Sequence, residues 1–198
     1  TALQVQQIKD AHTAGMLDPA IAQHAGVSLA TVKRYRDRLG LTTHCVTAQR
    51  GKLGEQLVAD EAARLGFSVD GHDKESDGHD LLIGGQRVDA KAAMQLADGS
   101  WRFRMHRMRA SLFGRYVYRK NYAGDSEVIA LVALYPDETP PDFYLLSSRN
   151  LPGDIRIRRG GPFEPARGDW GCSLPPPPSK PEFTRPYPFT RQPPIHRR

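Results

Sequence analysis

The tightest constraint on this chain is the stretch Asp80-Leu81-Leu82-Ile83-Gly84-Gly85-Gln86-Arg87-Val88-Asp89-Ala90-Lys91, because two adjacent glycines dictate where two apolar runs fold back on each other. A two-residue Gly-Gly loop favours a primed turn, in which both central residues need positive φ. With Gly84 and Gly85 as that loop, Ile83 faces Gln86 and Asp80 comes opposite Asp89. Side chains alternate along a strand, so Lys91 shares a face with both aspartates. A four-residue loop from Gly84 to Arg87 would set Asp80 opposite Lys91 instead; the shift is by two residues and all three groups stay on one face. Carboxylates facing each other across a ladder repel. A hard divalent cation between them, Mg²⁺ or Mn²⁺, relieves that repulsion, because its preferred ligands are oxygens. A lysine beside such a pair can hold a nucleophilic water or neutralise charge building on a phosphate, which is phosphodiesterase chemistry.

The flanking segments have a consistent order. Residues 50–67 read as an amphipathic helix with Leu53, Leu57, Val58, Ala62 and Leu65 as its apolar stripe. Gly66 is placed to stop it, and Phe67-Ser68-Val69 begins a strand. Downstream, the unbroken apolar run from Val128 to Tyr135 has the length and character of a strand buried on both faces of a central sheet. Turn residues follow from Pro136 to Asp142, then a further strand over Phe143-Tyr144-Leu145-Leu146, with Ser147 and Ser148 as caps for what comes next.

Asp80, eight intervening residues and Asp89-Ala90-Lys91, set in this order of elements over about residues 50 to 150, resemble the core of the PD-(D/E)XK nuclease superfamily. His79 stands where that family often has proline, and aspartate fills the middle acidic place. The resemblance implies an α/β, restriction-endonuclease-like fold with a mixed central sheet flanked by helices. It also implies a catalytic set of Glu55, Asp80, Asp89 and Lys91. Glu55 follows a glycine on the preceding helix, where resolvase-like and homing-endonuclease-like members carry a further metal-site carboxylate. The implied metal ligands are Asp80 and Asp89, helped by Glu55 and the backbone carbonyl of Ala90, and holding one or two Mg²⁺ (or Mn²⁺) ions. Gln95, four residues beyond Lys91, falls where related nucleases carry a polar substrate contact.

The first forty residues point to DNA independently. Leu3, Val5, Ile8 and Ala11 have roughly helical spacing, Asp18-Pro19 reads as an N-cap followed by proline, and Ser28 caps a third helix running to about Leu39. Ala22, Gly26, Val27 and Val32 occupy the diagnostic places of a helix-turn-helix of resolvase or sigma-factor type, which this segment resembles. In that geometry the third helix enters a major groove, with Ser28, Lys33 and Arg34 toward bases or phosphates and Arg36 and Arg38 toward phosphates. A three-helix adaptor that binds protein would show the same pattern.

Composition agrees with a nucleic-acid partner: net charge is +6 and the pI about 9.5 over 198 residues. Trp101, Phe103 and Met105 alternate with Arg102, Arg104 and His106, a half-buried strand with one cationic face. From Trp101 to Lys120 there are seven basic residues, Arg107 among them, and no acidic one, so the segment reads as a phosphate-tracking surface. Cys45 and Cys172 are too few for a disulfide framework and lack zinc spacing. No signal peptide and no apolar run of membrane-spanning length is present, so a cytoplasmic or nucleoid-associated protein is expected, not a secreted or membrane one. From about Arg159 the chain turns proline-rich, with Pro175 to Pro178 in a row, and reads as an extended tail, either disordered or laid along DNA or a partner subunit.

The expected organisation is therefore a helix-turn-helix domain over 1–41, a linker over 42–49, a nuclease core over 50–158 and a Pro/Arg-rich tail over 159–198. The expected function is metal-dependent and sequence-specific cleavage of double-stranded DNA, of homing or restriction type, by a homodimer or larger homo-oligomer. A Holliday-junction or repair nuclease and a non-catalytic DNA-binding regulator with a vestigial nuclease fold are the alternatives.

Overall fold

The structure, a computed structural model, describes residues 1–71, 78–106, 108–110 and 117–174. Arg107 and the proline-rich residues 175–198 lie outside the described residues.

Three short helices open the chain: α1 (Ala2–Thr13), α2 (Asp18–His24) and α3 (Leu29–Arg38). Ile8, Ala11, Ile21, Ala22, Ala25 and Val32 form their common core, with Val27 and Tyr35 packed against it. Ser28 caps α3 by accepting the Thr31 amide, as its position before an apolar-periodic run requires. Asp18 is not the cap of α2. Leu17 takes that place and Asp18 is the first helical residue, its carboxylate spent on an ion pair to Arg36.

The long helix α4 (Val46–Arg64) starts before the expected helix, so residues 46–49 form its first turn and not a linker. Its inward face is Gly54, Val58 and Ala62, with Leu57 and Leu65 partly buried; Leu53, expected in the stripe, is 49 % exposed. Gly54 stands at the point of closest approach, where a Cβ would lie 2.7 Å from the Cβ of Ala92.

The central sheet has the order β1 (Val69–Gly71), β2 (Leu81–Ile83), β3 (Gln86–Met94), β7 (Val128–Leu134) and β8 (Asp142–Ser147). β3 and β7 are parallel and every other neighbour is antiparallel, which makes the sheet mixed. All seven residues of β7 are buried, as the unbroken apolar run demands. Its alternate side chains feed two cores. Val128, Ala130 and Val132 face α4, whereas Ile129, Leu131 and Ala133 face the other way.

That second face is covered by a two-stranded ribbon of β4 (Trp101–Arg104) and β9 (Asp154–Ile157), where the nuclease resemblance leads one to expect a helix. Trp101, Phe103, Ile155 and Ile157 point into the core from this ribbon. A smaller hairpin, β5 (Met108–Ala110) with β6 (Val117–Arg119), and the single turn α5 (Tyr122–Asp125) complete the connection from β3 to β7. Ser148 caps no helix; its hydroxyl is buried and donates to the Ser126 carbonyl.

The segment after Arg159 also departs from expectation. It holds a 3₁₀ turn, Glu164–Ala166, and a short helix α6 (Trp170–Ser173). Trp170 and Leu174 are buried against Phe67 and Phe143 in the α4-side core. An extended tail thus cannot begin before residue 175. One tryptophan and one leucine supply enough apolar area to dock the turn over residues 164–174.

Candidate active site

Gly84 and Gly85 form the two-residue loop, at φ 57° and 81°, and Ile83 pairs with Gln86. Pairing runs to Leu81 opposite Val88 and then changes character. Asp80 donates its amide to the Val88 carbonyl (3.0 Å), and its carboxylate Oδ2 accepts the Ala90 amide (2.8 Å). A side chain thus replaces the next backbone rung and is carried across to β3, beside Asp89. Leu81, Ile83, Val88 and Ala90 belong to the core on the α4 side. By strand alternation Asp89 and Lys91 lie on the opposite face.

There the Lys91 ammonium donates to Asp89 Oδ1 and to the Ala90 carbonyl (3.1 Å) and sits 4.0 Å from Asp80 Oδ2. Three oxygens converge on one cation. Asp89 is almost wholly buried, with side-chain exposure of 1 %, and its Oδ2 accepts from Lys120 Nζ at 3.0 Å. Burial, then the hydrogen bond and charge of Asp89, push the Asp80 carboxyl up to about 7 against the opposing pull of Lys91. Burial alone would raise Asp89 too, but Lys91, the Asp80 hydrogen bond and Lys120 outweigh it and hold Asp89 below the usual carboxylate range. The pair is asymmetric: Asp80 holds a proton more tightly than an ordinary carboxyl, and Asp89 favours the charge.

Glu55 comes within electrostatic reach from α4. Burial raises its carboxyl, with the Asp89 charge acting in the same direction and Lys91 and Lys52 acting against it. Among the described residues no three His, Cys, Asp or Glu side chains are gathered as a metal-ligand group. The donor set of two carboxylates and one carbonyl, with an ammonium already seated among them, still fits a small hard cation: Mg²⁺ is commonly held by one or two carboxylates and completes its shell with water and substrate phosphate.

The other expected contacts divide. Ser28, Lys33, Arg34 and Arg38 are exposed along α3, and Arg38 lies over the Tyr35 ring. Arg36 does not join them. It is 9 % exposed, its Nε is 2.8 Å from Asp18 Oδ1, and its Nη1 donates to the Leu41 carbonyl (3.1 Å). Arg36 therefore ties α3 to α2 and to the segment beyond and has no free face for a phosphate. Arg102 and Arg104 are exposed on β4, but Arg102 Nε donates to Asp154 Oδ2 (2.7 Å) across the ribbon. Gln95 lies past the end of β3, about 13 Å along the strand direction from Lys91. Its amide donates to the Gly99 carbonyl (3.3 Å), so it closes a local turn and does not reach the aspartates.

Two residues of the site escaped sequence reasoning. Lys120 was visible only as one of a run of basic residues, and nothing in its spacing ties it to Asp89. Tyr122 lies under the Lys120 ammonium, 4.5 Å from the ring centroid to Nζ. Its hydroxyl is pushed up by burial and by the charges of Asp89 and Asp80.

No protein-family model and no curated protein matches the chain. Among solved structures it is similar to a bacterial homing endonuclease, I-Ssp6803I, with a TM-score of 0.51 and 18 % identity over 65 % of this chain and 93 % of that one. The likeness is one of fold.

Proposed function

We propose that the protein is a Mg²⁺-dependent DNA endonuclease with Asp80, Asp89 and Lys91 at its active site. One observation carries the reading: the Lys91 ammonium rests among Asp89 Oδ1, the Ala90 carbonyl and Asp80 Oδ2, so two carboxylates and one backbone carbonyl already surround a positive charge. The similarity in fold to a homing endonuclease supports it. Mg²⁺ held there would lower the pKa of a water and neutralise charge on the phosphate. Lys91 would then turn its donors to the attacking water or to a non-bridging phosphate oxygen. Asp80, Asp89 and the Ala90 carbonyl would hold the ion, Asp80 as its carboxylate. As water adds to phosphorus the bond to one sugar oxygen breaks; the water releases one proton to solvent and the leaving oxygen takes one from solvent. Glu55 would add a further carboxylate from the helix side, as a ligand or through water.

Sequence readout is assigned to the three-helix unit, read as a helix-turn-helix with Ser28, Lys33, Arg34 and Arg38 on its DNA-facing helix. Cutting both strands calls for two sites and hence a homodimer. Incubating plasmid DNA with and without Mg²⁺ tests the reading. Discrete fragments that require Mg²⁺ and vanish in Lys91→Ala support it. Preferential cutting of a four-way junction would move it to a junction-resolving enzyme. No cleavage with any divalent ion would overturn it.

A further inference from the structure

Beside the two aspartates lies a separate cavity of about 480 Å³, within the usual range for ligand clefts. Arg119, Lys120, Asn121, Tyr122, Ser148 and Asn150 contribute to its wall, and no carboxylate lines it among the described residues. Among the described residues neither Asp80 nor Lys91 lines it, and Lys120, which does, bonds to Asp89. We infer that this cavity binds a second DNA phosphate, next to the one that is cut, and that Lys120 is its charged ligand. The inference rests on the nuclease reading of Asp80, Asp89 and Lys91.

Charge balance is the first argument. A dication between Asp80 and Asp89 would offset both carboxylates, and Glu55 is countered by Lys91 and, less, by Lys52. The scissile phosphodiester carries one negative charge and faces Lys91 and the ion. Lys120, held in a largely buried position with side-chain exposure of 15 %, is then left without a carboxylate of its own, and a second anion would balance it.

Geometry is the second. An ammonium has three donors, and Asp89 Oδ2 takes one of those of Lys120 at 3.0 Å. The Tyr122 ring holds the ammonium from another side, a cation–π contact that fixes it without using a donor. Asn150 reaches the wall in a left-handed conformation, at φ 58°, which asparagine tolerates better than most residues. A polar cavity with two cations and amide and hydroxyl groups is the chemistry that phosphate oxygens select.

The test uses the full chain and measures duplex DNA affinity by fluorescence anisotropy without divalent ion, over a range of salt. Lys120→Gln is expected to weaken binding several-fold and to reduce the slope of log K against log salt by about 0.9, the value of one phosphate contact. Lys120→Arg should restore the slope. Mg²⁺ affinity, read by calorimetry without DNA, should be unchanged or tighter in Lys120→Gln, because a competitor for Asp89 is gone; this also reports that the site is folded. Asn150→Asp, which leaves Asp89 untouched, should weaken DNA binding by placing a negative charge in the wall. If the wild type binds and cuts DNA but Lys120→Gln and Asn150→Asp match it in affinity and salt slope, this inference fails and the nuclease reading stands. A wild type that neither binds nor cuts DNA overturns both.

Discussion

Gly54 offers the sharpest test of how the fold delivers the site. A Cβ at this position would sit 2.7 Å from Ala92 Cβ on β3, where carbon atoms prefer about 3.5–4.0 Å. In Gly54→Ala the helix and strand must therefore part by about 1 Å. Overpacking of this kind costs about 1–3 kcal/mol, and replacing a helix-interior glycine by alanine returns about 1 kcal/mol. A net loss of about 1 kcal/mol is expected in the wild-type background. With Ala92→Gly the obstructing methyl is gone, and the same Gly54→Ala change should stabilise by up to about 1 kcal/mol. The coupling between the two positions is then about 2 kcal/mol. Urea denaturation followed by tryptophan fluorescence reads it, because Trp101 and Trp170 are both buried in the cores on either side of the sheet. Since Glu55 is the next residue, the forced displacement should also lower Mg²⁺-dependent cleavage at least tenfold, with recovery in the double variant. Gly54→Ala that is stabilising by itself, or a coupling indistinguishable from zero, would refute the close-approach argument.

Five further outcomes follow from the same geometry. Lys91→Ala should abolish cleavage while DNA affinity, measured by anisotropy, changes less than about threefold, because the ammonium acts on the reacting atoms and not on the bulk of the interface. Mg²⁺ affinity should rise about tenfold in total between about pH 6 and pH 8, since a proton on Asp80, titrating at about 7, competes with the ion; a flat calorimetric profile would contradict the shared-proton pair. In the metal-free protein the sign runs the other way for stability: native Asp80 keeps a proton that the unfolded chain has released, so its contribution falls as pH rises from about 4 to 7 and should be visible as a declining urea midpoint. Asp18→Ala should cost about 3–5 kcal/mol in the three-helix unit, because it leaves the buried Arg36 unpaired; a helix content by circular dichroism and a melting curve that match the wild type would show that the pair is not structural. Trp170→Ala should destabilise the sheet core by about 3–5 kcal/mol, whereas an unchanged midpoint would mean that residues 159–174 are the loose tail their composition resembles.

Among the described residues no helix is long and apolar enough to cross a membrane. What the sequence determined by itself was local and periodic. Two adjacent glycines set a two-residue loop and thereby the pairing of Ile83 with Gln86, because only that backbone suits both. The apolar run at 128–134 forced a strand covered on both faces, and the alternation from Trp101 to Arg104 forced a half-buried one. Ser28 declared the start of α3. Tertiary structure decided everything that depends on which surfaces meet. Arg36 and Arg34 look alike in a string of letters, yet one is pinned to Asp18 and the other is exposed, since burial depends on the face that α2 covers. Asp154–Ile157 became a strand only because the exposed face of the sheet needed a partner for Trp101 and Phe103. Lys120 reaches Asp89 across 31 positions of chain, and Glu55 on α4 comes close enough to feel the charges of Asp89 and Lys91. Periodicity reports how a segment meets its own neighbours in sequence. The site is made where segments far apart in the chain close on the same few oxygens, and that closure is a property of packing.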